Sequence, residues 1–207
     1  MAIKKGEFVA LEFEGKIKAT GEIFDKTEKD PKVICVGAGW LIEGIDSVLP
    51  EKNIGDEFEL ELAPEKAFGQ RNPSMIKLTS ASKFKDFKPI VGIQVNVDGV
   101  LATVKSVSGG RVVLDFNHPL AGKTLHYKIK ITRKVDALDE KVKAVASILL
   151  PEIQVSVGGN AITLKTKNEM PEVLQKELKK SVVKYVPEAD KFEFKFEFDK
   201  KAEEKKQ

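Results

Sequence analysis

Cysteine occurs once in the 207 residues, as Cys35, and histidine twice, as His118 and His126. A single cysteine excludes an internal disulfide framework and fits a reducing compartment. Two histidines and one cysteine do not supply the roughly four ligands that a zinc site needs at set spacings. Cys-x-x-Cys, His-Glu-x-x-His and phosphate-loop sequences are absent as well. Residues 200–207 form a charged tail without His or Cys, and neither a metal nor a cofactor is expected. Charge of one sign is also lacking. Lys and Arg number 35 against 32 Asp and Glu, a net +3 interspersed along the chain, which leaves no basic footprint for nucleic acid. A pI near 8.7 permits a ribosome-associated or RNA-binding factor, which a salt-steep affinity for RNA would reveal. No apolar run approaches the ~20 residues of a membrane span. Met1-Ala-Ile-Lys-Lys-Gly-Glu7 has no apolar signal core. The expected setting is the cytoplasm, with no membrane and no nucleic-acid partner.

What is present is a patterned α+β chain, with 42% hydrophobic and 32% charged residues. Residues 7–19 alternate as a half-buried strand, with Val9, Leu11 and Phe13 on one face and Ala10, Glu12 and Glu14 on the other. Leu41, Ile42, Ile45, Val48 and Leu49 recur at helical spacing and predict a helix over 41–49, ended by Pro50. Phe58, Leu60 and Leu62 alternate with glutamates as another strand. The texture changes near Arg71, where Asn72-Pro-Ser74 marks a junction. Beyond it, residues 80–87 suggest a short helix. Residues 91–97 and 100–107 flank Asp98-Gly99, a strong hairpin signal. Leu125, Tyr127, Ile129 and Ile131 alternate again and match the first segment better than their neighbours do. A small domain inserted into a larger one explains that pattern.

The remainder reads as a helix over 139–150 capped by Asp136 or Asp139, a hairpin around Gly158-Gly-Asn160, and a helix over 171–186 with Pro171 at its start. A strand follows in which Phe192, Phe194, Phe196 and Phe198 alternate with charges.

A chain this poor in nucleophiles, metal ligands and paired acid–base groups could catalyse only a reaction that needs none of them. Rotation about the prolyl peptide bond is such a reaction. Its barrier of roughly 18–20 kcal/mol comes from resonance. A dry aromatic cradle with one or two polar groups can lower it by favouring the twisted state.

Several segments carry a resemblance that fits this chemistry. Thr20-Gly-Glu-Ile-Phe-Asp25, Val36-Gly-Ala-Gly-Trp-Leu-Ile-Glu-Gly-Ile45, Gly55-Asp56 and Pro64-Glu-Lys-Ala-Phe-Gly69 stand in the order found in FKBP-type peptidyl-prolyl cis/trans isomerases. Asn117-His-Pro-Leu-Ala-Gly-Lys123 resembles the return segment after the inserted flap domain of the SlyD-like group. The resemblance covers about residues 5–135. It implies an FKBP-like antiparallel sheet wrapped on a helix, with an inserted, mostly β chaperone domain and, as in long-type archaeal members, a C-terminal α+β domain. The implied layout is an FKBP domain at 1–71 and 118–136, the insert at 72–117, the C-terminal domain at 138–200 and the tail at 201–207.

The same resemblance assigns roles by position. Phe24 is a pocket wall and Asp25 a polar group near the substrate imide. Leu41 and Ile42 hold the substrate backbone, and Ile45 forms the floor. Phe13, Phe68 and Tyr127 are further pocket aromatics. Phe13 and Phe68 lack hydroxyls common in the family, whereas Tyr127 adds one. Read without the resemblance, Phe13 is a core strand residue, Leu41, Ile42 and Ile45 are a helix core face, and Asp25 is a turn residue. His118 starts a turn at His-Pro, Cys35 is a small core residue, and Trp40 is assigned to the pocket rim.

In the insert, Met75, Ile76, Leu78, Phe84 and Phe87 could be a mini-core. The resemblance makes them instead an adaptable apolar surface for unfolded chains. The implied partners are unfolded or nascent proteins and proline-containing peptides. An open edge at 192–198 would invite a second copy into a homodimer, while a helix-covered monomeric domain is the alternative. A holdase chaperone with a vestigial pocket is the competing function.

Overall fold

A computed structural model of the chain describes residues 2–84 and 88–198. In chain order the strands and helices are β1 (Phe8–Ile17), β2 (Ile23–Lys26), β3 (Lys32–Cys35), α1 (Glu43–Asp46), β4 (Glu57–Leu62), β5 (Ile76–Ser80), β6 (Gln94–Val97), β7 (Val100–Ser108) and β8 (Arg111–Asp115). They continue with β9 (Leu125–Lys134), α2 (Leu138–Leu149), β10 (Gln154–Gly158), β11 (Ala161–Thr166), α3 (Glu172–Tyr185) and β12 (Glu193–Phe198). The fold is α+β, with several antiparallel sheets and few helices. Two compact bodies can be separated. One holds the described parts of 1–15, 23–60 and 127–207, and the other holds 16–22 and the described parts of 61–126.

The five-stranded sheet has the order β2-β1-β9-β4, with β3 also pairing β1. The first half of β1 departs from simple alternation, because Phe8, Val9, Ala10 and Leu11 are all buried. The reason is non-local. Phe8 and Ala10 share one apolar core with Val142, Val145 and Ala146 of α2 and Leu178 and Val182 of α3, so both faces of the strand are covered. The sheet β10-β11-β12 closes this core from the C-terminal region, with β12 running parallel to β11.

Three helix expectations change in detail. α1 spans four residues and gives way to a 3-10 turn at Leu49–Glu51 instead of running over 41–49. Pro50 disfavours the α conformation at Leu49, and its missing N–H removes a helical donor. α2 begins after Ala137 with no side-chain cap, so neither Asp136 nor Asp139 caps it. Among the described residues of 80–87, only Ala81–Lys83 is helical, as a 3-10 turn.

The second body carries the sheet β5-β8-β7-β6. Its β6–β7 hairpin turns on Asp98 (φ 53°) and Gly99 (φ 84°), the positive φ pair that Asp-Gly adopts at low cost. Val95, Ala102, Val104, Val112 and Leu114 form its small core.

Candidate functional site

In the first body three rings meet at one end of the sheet. Phe24 on β2 lies edge-on to Tyr127 on β9 at 5.6 Å, and Phe13 on β1 lies tilted to Tyr127 at 6.4 Å. A tight exchange fixes β1 against the end of β2. The Phe13 N–H donates to Thr27 Oγ1 at 2.6 Å, and the Thr27 hydroxyl and N–H both donate to the Phe13 carbonyl. The rings close over Gly15. A Cβ there would stand 2.8 Å from Tyr127 Cε1 and 2.9 Å from Phe24 Cζ, closer than carbon atoms tolerate. Gly15 is thus a site residue that sequence reasoning missed. It lies mid-strand, and the rings that exclude a side chain there come from elsewhere in the chain.

Tyr127 is buried, and its phenol is pushed up to about 12, first by burial and then by the negative charge of Asp25. The hydroxyl therefore stays protonated through the neutral range. Asp25 itself is exposed beside half-buried Phe24.

Leu41 and Ile42 are half-buried and Ile45 is buried. The Ile42 carbonyl accepts from the N–H groups of Ile45 and Asp46 at 2.9 and 3.1 Å and opens α1. Asp46 then folds the preceding loop back. Its carboxylate accepts from the Gly37 and Gly39 N–H groups at 2.9 and 3.0 Å. Cys35 is buried in the core, and burial pushes its thiol up, with the nearby Asp46 charge adding to the rise. Trp40 is half-buried and packs edge-on against Phe8 at 5.9 Å and Tyr185 at 5.1 Å, on the flank of the first body's core.

Phe68 belongs to the second body. It follows the 3-10 turn Pro64–Lys66, which the Gly69 N–H closes onto the Pro64 carbonyl at 2.7 Å. Its ring stacks face to face on His118, with centroids 4.3 Å apart and planes 1° from parallel. His118 does start a turn, with the Ala121 N–H on its carbonyl, but it also serves as the platform for Phe68. The Leu120 N–H donates to His118 Nδ1 at 3.2 Å, which leaves the ring proton on Nε2 in the neutral form. No sequence spacing connects residues fifty positions apart.

The insert residues divide between environments. Met75, Ile76 and Leu78 are exposed, Leu78 to 62%. Phe84 is half-buried against the small core. Phe87 lies outside the described residues. Met75, Leu78, Phe84, Val97, Val100 and Phe116 line an open groove of about 1190 Å³. Strand alternation puts Ile76 on the same face of β5 as Leu78 and opposite to Lys77. Ile90, Val91 and Leu101 add further exposed apolar surface. Among the described residues no three His, Cys, Asp or Glu side chains cluster as a metal set, and no helix is long and apolar enough to cross a membrane.

Comparison with known proteins gives this geometry a context. A family model described as the IF domain of FKBP26 matches residues 81–120. A short-type peptidyl-prolyl cis-trans isomerase of Methanocaldococcus jannaschii is 33% identical over 144 residues, spanning 62% of this chain and 92% of that protein. A probable FKBP-type 16 kDa peptidyl-prolyl cis-trans isomerase of Pseudomonas fluorescens is 35% identical over 129 residues, spanning 59% of this chain and 85% of that protein. The SlyD isomerase of Helicobacter pylori is 27% identical over 140 residues, spanning 65% and 76%. The matched lengths, the ordered motifs and the inserted four-stranded sheet lead to one assignment: the chain belongs to the FKBP-type peptidyl-prolyl cis-trans isomerases, in their SlyD-like group.

Proposed function

We propose that the protein isomerises prolyl peptide bonds in unfolded or partly folded proteins, without covalent chemistry, and that its insert holds such chains. The observation that carries the reading is the cluster of Phe13, Phe24 and Tyr127 closed over Gly15, with Asp25 acting electrically on the Tyr127 phenol. Such a wall strips water from an imide and offers little to the planar, resonance-stabilised ground state. Asp25 supplies a charged group that acts on it. Leu41 and Ile42 are assigned to hold the peptide backbone, Ile45 to the floor, and Phe68 to a substrate-facing aromatic. The exposed Met75, Ile76 and Leu78, with Phe84 at the groove, suit weak and sequence-tolerant contact with apolar segments. Capture there raises the local concentration of prolyl bonds.

The same reading places the protein in the cytoplasm, acting on nascent or unfolded chains and pairing with a second copy through its C-terminal sheet. Its mixed charge suits neither nucleic acid nor a membrane surface.

Proline-limited refolding, with the protein far below the concentration of the refolding chain, tests the reading. Substoichiometric acceleration is expected. Asp25→Ala and Phe24→Ala should each lower it by about tenfold or more, the equivalent of ~1.4 kcal/mol of barrier, while leaving aggregation suppression intact. Deleting residues 72–117 should cost far more on proteins than on short peptides. Aggregation suppression with no acceleration at any dose would mean a holdase instead.

A further inference from the structure

The described residues contain two buried side chains that are polar or charged, Asp115 and Asn117. Both lie where the chain returns from the insert. Asp115 Oδ1 accepts from the Asn117 N–H at 3.0 Å and from Asn117 Nδ2 at 2.7 Å. Asp115 Oδ2 is paired with the Arg71 guanidinium, and Lys105 Nζ stands 3.9 Å away. Asn117 reaches across to the outgoing strand. Its Oδ1 accepts from the Asn72 N–H at 2.8 Å, and its Nδ2 donates to the Asn72 carbonyl at 3.0 Å. Backbone bonds flank the cluster on both sides, from the Phe116 N–H to the Met75 carbonyl at 3.0 Å and from the Gly122 N–H to the Gly69 carbonyl at 2.8 Å. The two chain crossings, 71–72 outward and 115–117 back, are therefore sewn side by side by the side chains of Arg71, Asp115 and Asn117 and by the backbone of Asn72.

Two flexible linkers would suffice if the insert only had to be attached. Burying a carboxylate is a poor way to gain stability, since its desolvation roughly cancels the attraction of its partner. What a fully satisfied polar cluster does well is to fix one arrangement. The stacked pair Phe68–His118 begins immediately outside this cluster. Phe68 lies three residues before Arg71 and His118 one residue after Asn117, in the same compact body as the insert.

We propose that Arg71, Asn72, Asp115 and Asn117 are positioning residues that couple the insert to the Phe68–His118 pair, so that an unfolded chain held on the insert sets the placement of these rings for isomerisation. The proposal rests on the assignment of Phe68 as a substrate-facing aromatic.

The test uses the full chain and an unfolded polypeptide that contains no proline, which occupies the insert without turnover. In the parent protein, saturation with this probe should shift the His118 ring signals in NMR spectra. Asp115→Asn keeps the side-chain size but loses the charge that holds Arg71. It should bind the probe with unchanged affinity yet lose most of the His118 shift. Its kcat/KM should fall about tenfold on a refolding protein, an effect of ~1.4 kcal/mol, and stay within about twofold on a proline tetrapeptide. Asn117→Ser, which keeps a hydrogen-bonding group, should give the same split to a smaller degree and serves if Asp115→Asn does not fold. A full His118 shift in a folded variant, or equal losses on protein and tetrapeptide, would overturn the coupling. The His118 readout needs no turnover, so a lack of isomerase activity in the parent would count against the proposed function and leave the coupling result readable.

Discussion

At Gly15 the absence of one carbon atom decides whether Phe24 and Tyr127 can occupy their places. A methyl group there would have to displace ring carbons now 2.8 and 2.9 Å from its position, and neither is the free end of a flexible chain. Overpacking of this kind costs about 1–3 kcal/mol. Gly15→Ala should therefore lower the melting temperature by several degrees and reduce kcat/KM on a tetrapeptide by about tenfold or more. Retention of full activity would mean that these rings are not part of the catalytic wall. Tyr127 supports a second expectation. Its folded phenol is pushed from 10.0 up to about 12, by burial first and by Asp25 second. The unfolded phenol loses its proton first, so the stabilisation from the neutral ring is complete below pH 10.0 and is lost as pH rises towards about 12. The chain has two tyrosines, so the Tyr185→Phe variant leaves Tyr127 alone to titrate. Ultraviolet absorbance should then show a midpoint near 12, moving down when Asp25→Asn is added. An ordinary midpoint of about 10 in the Tyr185→Phe protein would mean that the phenol is not buried, and a midpoint unmoved by Asp25→Asn would remove Asp25 from its neighbourhood.

At the scale of elements, what was legible depended on how local the cause was. The alternation in β4 and β9 and the Asp98-Gly99 hairpin are visible in the sequence, because strand period and turn chemistry are written in adjacent residues. Phe24 is legible in an ordered motif, and Phe13 and Tyr127 through the positions that the resemblance assigns to them; the structure brings the three rings together. The helix expected over 41–49 was misread because the apolar spacing continues past the point where Pro50 forbids the α conformation. The double burial of the start of β1 could not be read locally, since the layer that covers Phe8 and Ala10 comes from α2 and α3, more than a hundred residues away. Trp40 follows the same rule, since its packing against Phe8 and Tyr185 brings together residues far apart in the chain. His118 had a local explanation in the His-Pro turn, which is correct as far as it goes, and that explanation hid the stacking on Phe68.

For the whole molecule, the proposed dimer can be argued down to a register. β12 ends the sheet β10-β11-β12, and among the described residues its outer edge pairs with no other strand. Phe194 and Phe196 face the core of the first body, Phe198 is exposed, and Glu193, Lys195 and Glu197 occupy the opposite face. An antiparallel copy of β12 centred on Phe196 would set Lys195 opposite Glu197 in both directions and Phe194 opposite Phe198. A shift that centres the pair on Lys195 would instead put Lys195 against itself and Glu193 against Glu197. Opposite charges across a strand pair favour the first register, like charges disfavour the second, and each cross-strand pair contributes up to about 1 kcal/mol. Sedimentation equilibrium should give a dimer for the parent chain. Lys195→Glu sets the introduced carboxylate of each copy against Glu197 of the other across the seam and should shift the population to monomer. Adding Glu197→Lys to that variant exchanges the charges, restores the opposite pairs and should bring the dimer back. A parent chain that sediments as a monomer, or a double variant that stays monomeric after Lys195→Glu has broken the dimer, would show that β12 does not pair in this register.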